Sequence, residues 1–389
     1  MMFFQDPSLR QFQQRLQDAM HKNNLATLFD VSDIPGDSQL RDTIDGCEPD
    51  QIEAVFSDYF SLLQRGKQLE PFSQLDGYHL IAIDGTEYFS SEKLHCPQCL
   101  RKKSARGKTR YHHQILQAAM VCPGQRQVVP LAPEAVKNSD GSKKQDCELN
   151  AAKRMLVKIR RAHPKLRILI GGDGLYSKQP FIKQLKTQRM SFILVAKPDD
   201  HKTLFEWVDE LRQMKQIGQL TLTDDQNRRH HYQWAKAVAI NADPRSELVD
   251  FIDYRLIVDA KTTYHNSWVT DVDVSQANVV RLVKAGRARW KIENETFNTL
   301  KNQGYHIEHN FGHGQKNLSY NLFLLNLLAF FVHQILELSD RLYQRCRTDK
   351  FTSRREFWNQ LRCTIRIFVF DRWEQLLLLI LDPENNRPP

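Results

Sequence analysis

Gly286 to Gly304 reads GRARWKIENETFNTLKNQG, a stretch without proline, rich in helix formers and closed by a glycine, which predicts one continuous helix. With Glu293 placed at zero and about 100° added per residue, Arg289 falls at about −40°, Leu300 at about −20°, Phe297 at about 40°, Trp290 at about 60° and Lys301 at about 80°. One face thus carries an acid, two bases and three large apolar groups. A carboxylate among inward-facing aromatics is costly to desolvate unless it is paired or ligates a metal, whereas Glu295, at about 200°, points away to solvent. An intrahelical Arg289 to Glu293 pair satisfies the same letters but contributes only roughly 0.2–0.5 kcal/mol.

The run RWKIE, followed by Phe297 and Lys301, resembles the glutamate helix of DDE transposases. It is most similar to the insertion-sequence-four group, whose motif is Tyr, two residues, Arg, three residues, Glu, six residues, Lys. Arg289 and Glu293 keep that spacing, while Gly286 stands at the tyrosine position and Lys301 comes one residue late.

Working back towards the N-terminus, Tyr78 to Tyr88 (YHLIAIDGTEY) reads as a buried strand with Asp84 near its end. Strands are predicted over His113 to Cys122 and Gln127 to Pro133, then a helix over about Asp146 to Ala162. A further strand, Leu166 to Ile170, runs into GGDGLYS and places Asp173 just past its end. A helix (Lys178 to Gln188) and a strand (Ser191 to Ala196) continue the alternation. Three strands, helix, strand, helix, strand is the order of a ribonuclease-H-like core.

Two aspartates at strand ends and a glutamate on a later helix suit two-metal phosphoryl transfer, because hard Mg²⁺ or Mn²⁺ prefers oxygen ligands. Asp84, Asp173 and Glu293 are assigned to this set. The resemblance implies that Asp84 bridges both ions and that Asp173 and Glu293 each hold one. An Asp before Gly is by itself an ordinary turn residue, so the argument rests on the three together. Glu87, three residues on along the same strand, faces the other side. GGDG lacks the GxGxxG pattern and the GK[ST] ending of a nucleotide cradle; Gly171, Gly172 and Gly174 are read as letting backbone or DNA approach Asp173. Arg287, Arg289, Lys291 and Lys301 lie near the proposed metal site as DNA-binding cations.

Lys202 to about Gln213 reads as a helix, followed by strand-like stretches at Leu220 to Thr223, Tyr232 to Ile240 and Tyr254 to Val258. The resemblance implies a β-rich insertion at this point. It also implies a DNA-binding role for Trp268 in NSWVTDV, as a base-accepting tryptophan; a strand tryptophan buried in the insertion fits equally.

HCPQC at His95 to Cys99 offers half of a tetrahedral zinc site through Cys96 and Cys99, the other half falling to His95, His112, His113, Cys122 or Cys147. Reduced thiols in a basic loop fit as well, with Lys93, Arg101, Lys102, Lys103, Arg106, Lys108 and Arg110 placed to meet phosphates or solvent. HIEHNFGHG puts His306, His309 and His313 beyond the glutamate helix, where phosphate contact, loop packing and zinc are the readings.

The whole chain has 389 residues and a net charge of +9. Residues 1 to 76 hold six Lys or Arg against thirteen Asp or Glu, so that region carries −7 and the remainder +16. A positive body suits a polyanionic partner. Seven cysteines without a secretory leader argue for a reducing, cytoplasmic setting, and the apolar run Leu322 to Val332 is too short to span a bilayer, so a core helix and no membrane are expected.

The expected fold class is α/β: a ribonuclease-H-like core with a β-rich insertion before the glutamate helix, plus helical N- and C-terminal regions. The divisions are a helical region over 1–76, the first part of the core over 77–200, the insertion over 201–275, the catalytic glutamate helix over 276–315 and a C-terminal helical region over 316–389. In the N-terminal region, Ile34 to Gly46 reads as a break between helices. The resemblance implies a DNA transposase that binds the terminal inverted repeats of its element, cleaves with two metal ions and transfers strands to target DNA, as a homodimer. A metal nuclease of the same fold without joining, and an inactive DNA-binding protein, are the alternatives.

Overall fold

The computed structural model describes residues 1–6, 8–16, 19–103, 107–137 and 146–385. Four helices come first: α1 (Leu9–Leu16), α2 (Ala19–Phe29), α3 (Asp37–Gly46) and α4 (Pro49–Arg65). Proline at the first position opens α4, and Phe56, Phe60 and Leu63, at spacings of four and three, form its buried stripe. The predicted break therefore contains a helix. Pro35 and Gly36 stand just before α3 and Gly46 at its end, so the breaking residues bound it, and it buries no side chain, which leaves no apolar period to read.

The sheet strands are β1 (Ser73–Gln74), β2 (Tyr78–Ser91), β3 (Leu100–Lys103), β4 (Thr109–Met120), β5 (Val129–Pro130) and β6 (Glu134–Val136). Helix α5 (Glu148–Ala162), β7 (Ile168–Gly172), α6 (Gln179–Thr187), β8 (Ser191–Val195) and α7 (Lys202–Gln213) follow. Then come β9 (Gly218–Thr223), β10 (Arg229–Ala239), β11 (Leu248–Val258) and β12 (Lys261–Thr270). All belong to one 12-stranded sheet, whose main path runs β3-β4-β2-β7-β8-β12-β11-β10-β9. Strands β2, β7 and β8 are mutually parallel, with α5 and α6 lying between them in the chain, while β4 runs antiparallel to β2. Every residue of β7 is buried, as a central parallel strand requires.

Two departures have simple causes. Of the predicted strand Gln127 to Pro133 only β5 pairs with β4, and β6 begins just past its end, because Pro130 and Pro133 have no N–H to give a continuous ladder. Strands β9 to β12 also continue the sheet beyond β8, since β12 pairs antiparallel with β8 through Trp268↔Val195 and Thr270↔Ile193. A mixed α/β architecture with a large mixed sheet is compatible with the ribonuclease-H-like expectation.

Beyond the sheet, α8 (Val279–Ala288), a π-helical turn (Ile292–Phe297) and α9 (Asn298–Asn302) make up the glutamate helix. Helices α10 (Leu318–Ser339), α11 (Arg341–Arg345), α12 (Arg354–Ile367) and α13 (Trp373–Leu381) close the chain. By length and composition α10 is apolar enough to cross a bilayer, yet 67% of its most apolar window is buried inside the fold, as a core helix would be. The two terminal regions pack together: Asn24 donates to the carbonyls of Ile365 (2.9 Å) and Phe368 (2.7 Å), and Phe3 and Phe4 meet Trp358.

Candidate active site

The parallel pairing of β2 with β7 matches Ala82 to Gly171. Asp84 and Asp173 each lie two residues further on, and a step of two along extended chain returns to the same face. The two aspartates are thus carried side by side. Strand β2 runs on to Ser91, so Asp84 sits mid-strand and not near an end.

The glutamate helix brings the third acid. Arg289 Nη1 lies 3.0 Å from Glu293 Oε1 and 3.4 Å from Asp84 Oδ2, joining the helix to β2 through one guanidinium. Asp84 Oδ1 accepts the Gly85 N–H at 2.9 Å, and Asp173 Oδ1 accepts the Leu175 N–H at 2.9 Å. Burial pushes the Asp84 carboxyl up to about 7; Arg289 and the Gly85 N–H pull it down, while the Glu293 and Asp173 carboxylates push it further up. Three acids therefore share one electrostatic environment.

The helix is rotated relative to the expectation. Ala285, Arg289, Ile292, Thr296 and Leu300 are buried, at spacings of four, three, four and four, so this stripe sets the core face. Glu293 lies at its rim, with 36% of its side chain exposed, and Trp290 is turned out at 51%. Trp290 therefore lies outside the core face and not on it, because Glu293 occupies the edge of that face and not its centre. Glu295 does not point into open solvent either; its carboxylate lies 3.7 Å from Arg126 and its side chain is 24% exposed.

The π turn bears on the spacing of Lys301. Its hydrogen bonds reach one residue further than those of an α turn, so it absorbs one extra residue. Lys301, one position late for the motif in sequence, is thereby brought back towards the phase that a regular helix would give the earlier position. There it pairs with Glu308 at 2.8 Å.

The other cations predicted to meet DNA are engaged within the chain. Lys291 donates to the Gln125 carbonyl at 2.6 Å, and Arg287 lies over the Tyr264 and Tyr254 rings at 4.8 and 5.6 Å. Trp268 is 0% exposed, in β12 between β8 and β11, so no base reaches its ring in this conformation. Its burial also accounts for Gly286: a Cβ there would lie 2.7 Å from Trp268 Nε1, leaving no room for the motif's tyrosine. Glu87 faces away from the acids, as expected, and pairs with Lys102 (2.9 Å) and Arg110 of the basic hairpin. Arg106 of that hairpin lies outside the described residues.

One carboxylate escaped the sequence reading. Glu148, in the first turn of α5, accepts from Gln114 Nε2 at 3.1 Å and from the Tyr176 hydroxyl. Burial raises its carboxyl above the usual range, and the Asp173 charge adds to that. A Cβ on Gly85 would lie 2.3 Å from Glu148 Oε2, so the glycine beside Asp84 is what admits this side chain. The DG dipeptide was informative after all, through close approach and not through a turn.

Carboxylates at the meeting of two strands and a helix, with a guanidinium between two of them, offer the hard oxygen donors that metal-dependent enzymes acting on phosphodiesters use. Over residues 77–331, more than half of its length, the chain matches the Transposase DDE domain family, and it belongs to that family. No curated protein matches it. It is a DDE transposase, of a family that acts on DNA and generally uses divalent metal ions.

Proposed function

We propose that this transposase binds the terminal inverted repeats of its element, cleaves DNA there and joins the freed 3′ ends to target DNA, with Asp84, Asp173 and Glu293 as the metal-holding catalytic residues. The observation that carries this is the placing of Asp84 and Asp173 side by side by adjacent parallel strands, with Arg289 joining Asp84 to Glu293. The donor set fits the group: all three side chains offer hard oxygen, and Asp84, half-buried and beside two like charges, is a carboxylate that gains from a neighbouring cation. When bound, two divalent ions supply an activated oxygen nucleophile and stabilise the leaving oxygen.

The chain's own groups account for the rest. Arg289 neutralises part of the charge shared by Asp84 and Glu293 and fixes the helix against β2. The Gly85 and Leu175 N–H groups orient one oxygen of each aspartate, leaving the other directed elsewhere. Arg287, Lys291 and Lys301 lie on the helix that carries Glu293, where exchanging their internal partners for phosphates would hold the cut strand. Membership of the insertion-sequence-four group rests on the Arg289 and Glu293 spacing. Joining two ends calls for two copies of the chain in the reacting complex.

The test is cleavage and joining of a fragment carrying the element's ends, with Mg²⁺ or Mn²⁺. Asp84→Asn, Asp173→Asn and Glu293→Gln are each expected to lose at least about 10³-fold in cleavage while end binding persists, and Glu295→Gln to stay within a few-fold of the parent. An active Glu293→Gln beside an inactive Glu295→Gln would refute the assignment on the helix. Metal-dependent cutting without any joined product would instead identify a nuclease.

A further inference from the structure

Cys96 and Cys99 lie in the segment between β2 and β3, His113 on β4, and His313 in the segment between α9 and α10, twenty positions beyond Glu293. Their ligand atoms all fall within 4.8 Å of one another. The Sγ atoms are 3.9 Å apart; His113 Nε2 is 3.5 Å from Cys96 Sγ and 3.4 Å from Cys99 Sγ; His313 Nε2 is 3.5 Å from Cys99 Sγ.

A tetrahedral ion with Zn–S of about 2.3 Å and Zn–N of about 2.0–2.1 Å separates its ligands by about 3.8 Å for S···S and about 3.6 Å for S···N. The four measured edges match those values. A disulfide would need the sulfurs at about 2.0 Å, far closer than here. Both cysteines and His113 are buried, and the imidazoles are held by aromatic neighbours, His313 against Phe89 at 4.4 Å and His113 near Phe89 and Tyr88 at 5.7 Å. The other sequence candidates are elsewhere: His95 stacks on Tyr111, Cys122 bonds Pro71 and Gln74, Cys147 is exposed, and His112 lies 3.9 Å from Glu87.

We propose that Cys96, Cys99, His113 and His313 form a closed structural Zn²⁺ site. Four protein ligands leave no position for water or substrate, which marks a structural and not a catalytic centre. Soft thiolates with imidazole nitrogens also separate it chemically from the all-oxygen Asp84 site. The ion would fasten the segment after the glutamate helix to the β2/β4 pair, where His113 stands opposite Phe89, five residues along β2 from Asp84.

The experiment is metal analysis of the full chain purified without added metal, together with Co²⁺ exchange and thiol alkylation. The expected results are about one zinc per chain, the absorption of a tetrahedral two-thiolate, two-imidazole site with Co²⁺, and Cys96 and Cys99 alkylated only after a strong chelator. His313→Ala and Cys99→Ser should lose the zinc and lower Tm. Asp84→Asn, Asp173→Asn and Cys363→Ser should keep it, so a failure of the catalytic assignment would leave this result standing. If His313→Ala does not fold, the unaltered chain still decides through its zinc content and alkylation pattern. Metal-free protein with freely alkylated Cys96 and Cys99, or a Cys96–Cys99 disulfide in the purified chain, would overturn the proposal.

Discussion

Glu148 shows at the scale of a residue how the acid cluster is supported. Its carboxylate is held by Gln114 and Tyr176 and feels the Asp173 charge, so it adds negative charge beside the acids. Glu148→Gln keeps the volume and removes the charge. The expected outcome is a rise of roughly tenfold in the Mg²⁺ concentration needed for half-maximal cleavage, with end binding unchanged; a superimposable Mg²⁺ titration would count against this role. The sequence carried the Arg289 to Glu293 contact because both residues share one turn. It did not carry Glu148, and it offered zinc for His313 only as one of three readings, because their partners lie far along the chain: Gly85 and Asp173 for one, Cys96 and Cys99 for the other. Nor could letters alone place Trp268, where a strand tryptophan buried against a glycine and one waiting for a base read alike.

At the scale of elements, periodicity was a sound guide wherever an element buries a stripe. Helix α7 was found with its bounds, and α5, α6, β7 and β8 within two residues. It failed at α3, which buries nothing, and at β5 and β6, which prolines interrupt. Although α3 has no core of its own, it supports α10. Asp45 accepts the backbone N–H groups of Lys316 (3.0 Å), Asn317 (2.9 Å) and Leu318 (2.7 Å), capping α10 from a distant part of the sequence. Asp45→Ala should therefore cost about 1–2 kcal/mol in urea unfolding, with Asp45→Asn recovering most of it. If the two variants unfolded together with the parent, the cap would be incidental.

Across the whole molecule, the acidic N-terminal region is partly neutralised by its own chain. Glu53 lies 3.1 Å from Lys158 and accepts from the Tyr320 hydroxyl, and Asp45 is taken up by α10. The two ends of the chain meet around His333, whose Nε2–H donates to the Phe3 carbonyl at 3.0 Å, whose Nδ1 accepts from the Tyr305 hydroxyl, and whose ring stacks on Trp358 at 3.9 Å. Burial pulls its imidazole down to about 3. The unfolded chain, near 6.5, then binds the proton more readily than the folded one. Its contribution is fully present above about pH 6.5 and is lost as pH falls towards about 3, with a limiting slope of about 1.4 kcal/mol per pH unit. Asp84 acts with the opposite sign, since a carboxyl raised to about 7 in the fold loses its contribution as pH rises from 3.8 to that value. Comparing urea midpoints of the parent and His333→Gln between pH 7 and 4 isolates the histidine, and the variant should show the flatter profile; parallel profiles would exclude it as the source.

The join between β8 and β12 has a bearing on how such a chain can change over generations. Because β12 is hydrogen-bonded to β8, losing β9 to β12 would uncover the backbone of Ile193 to Val195 along the margin of the parallel strands, a surface that pairs readily with any other strand. Strands β12 to β9 thus act as a seal on that margin. The outermost of them, Gly218–Thr223, is free to vary in a way that β12 is not.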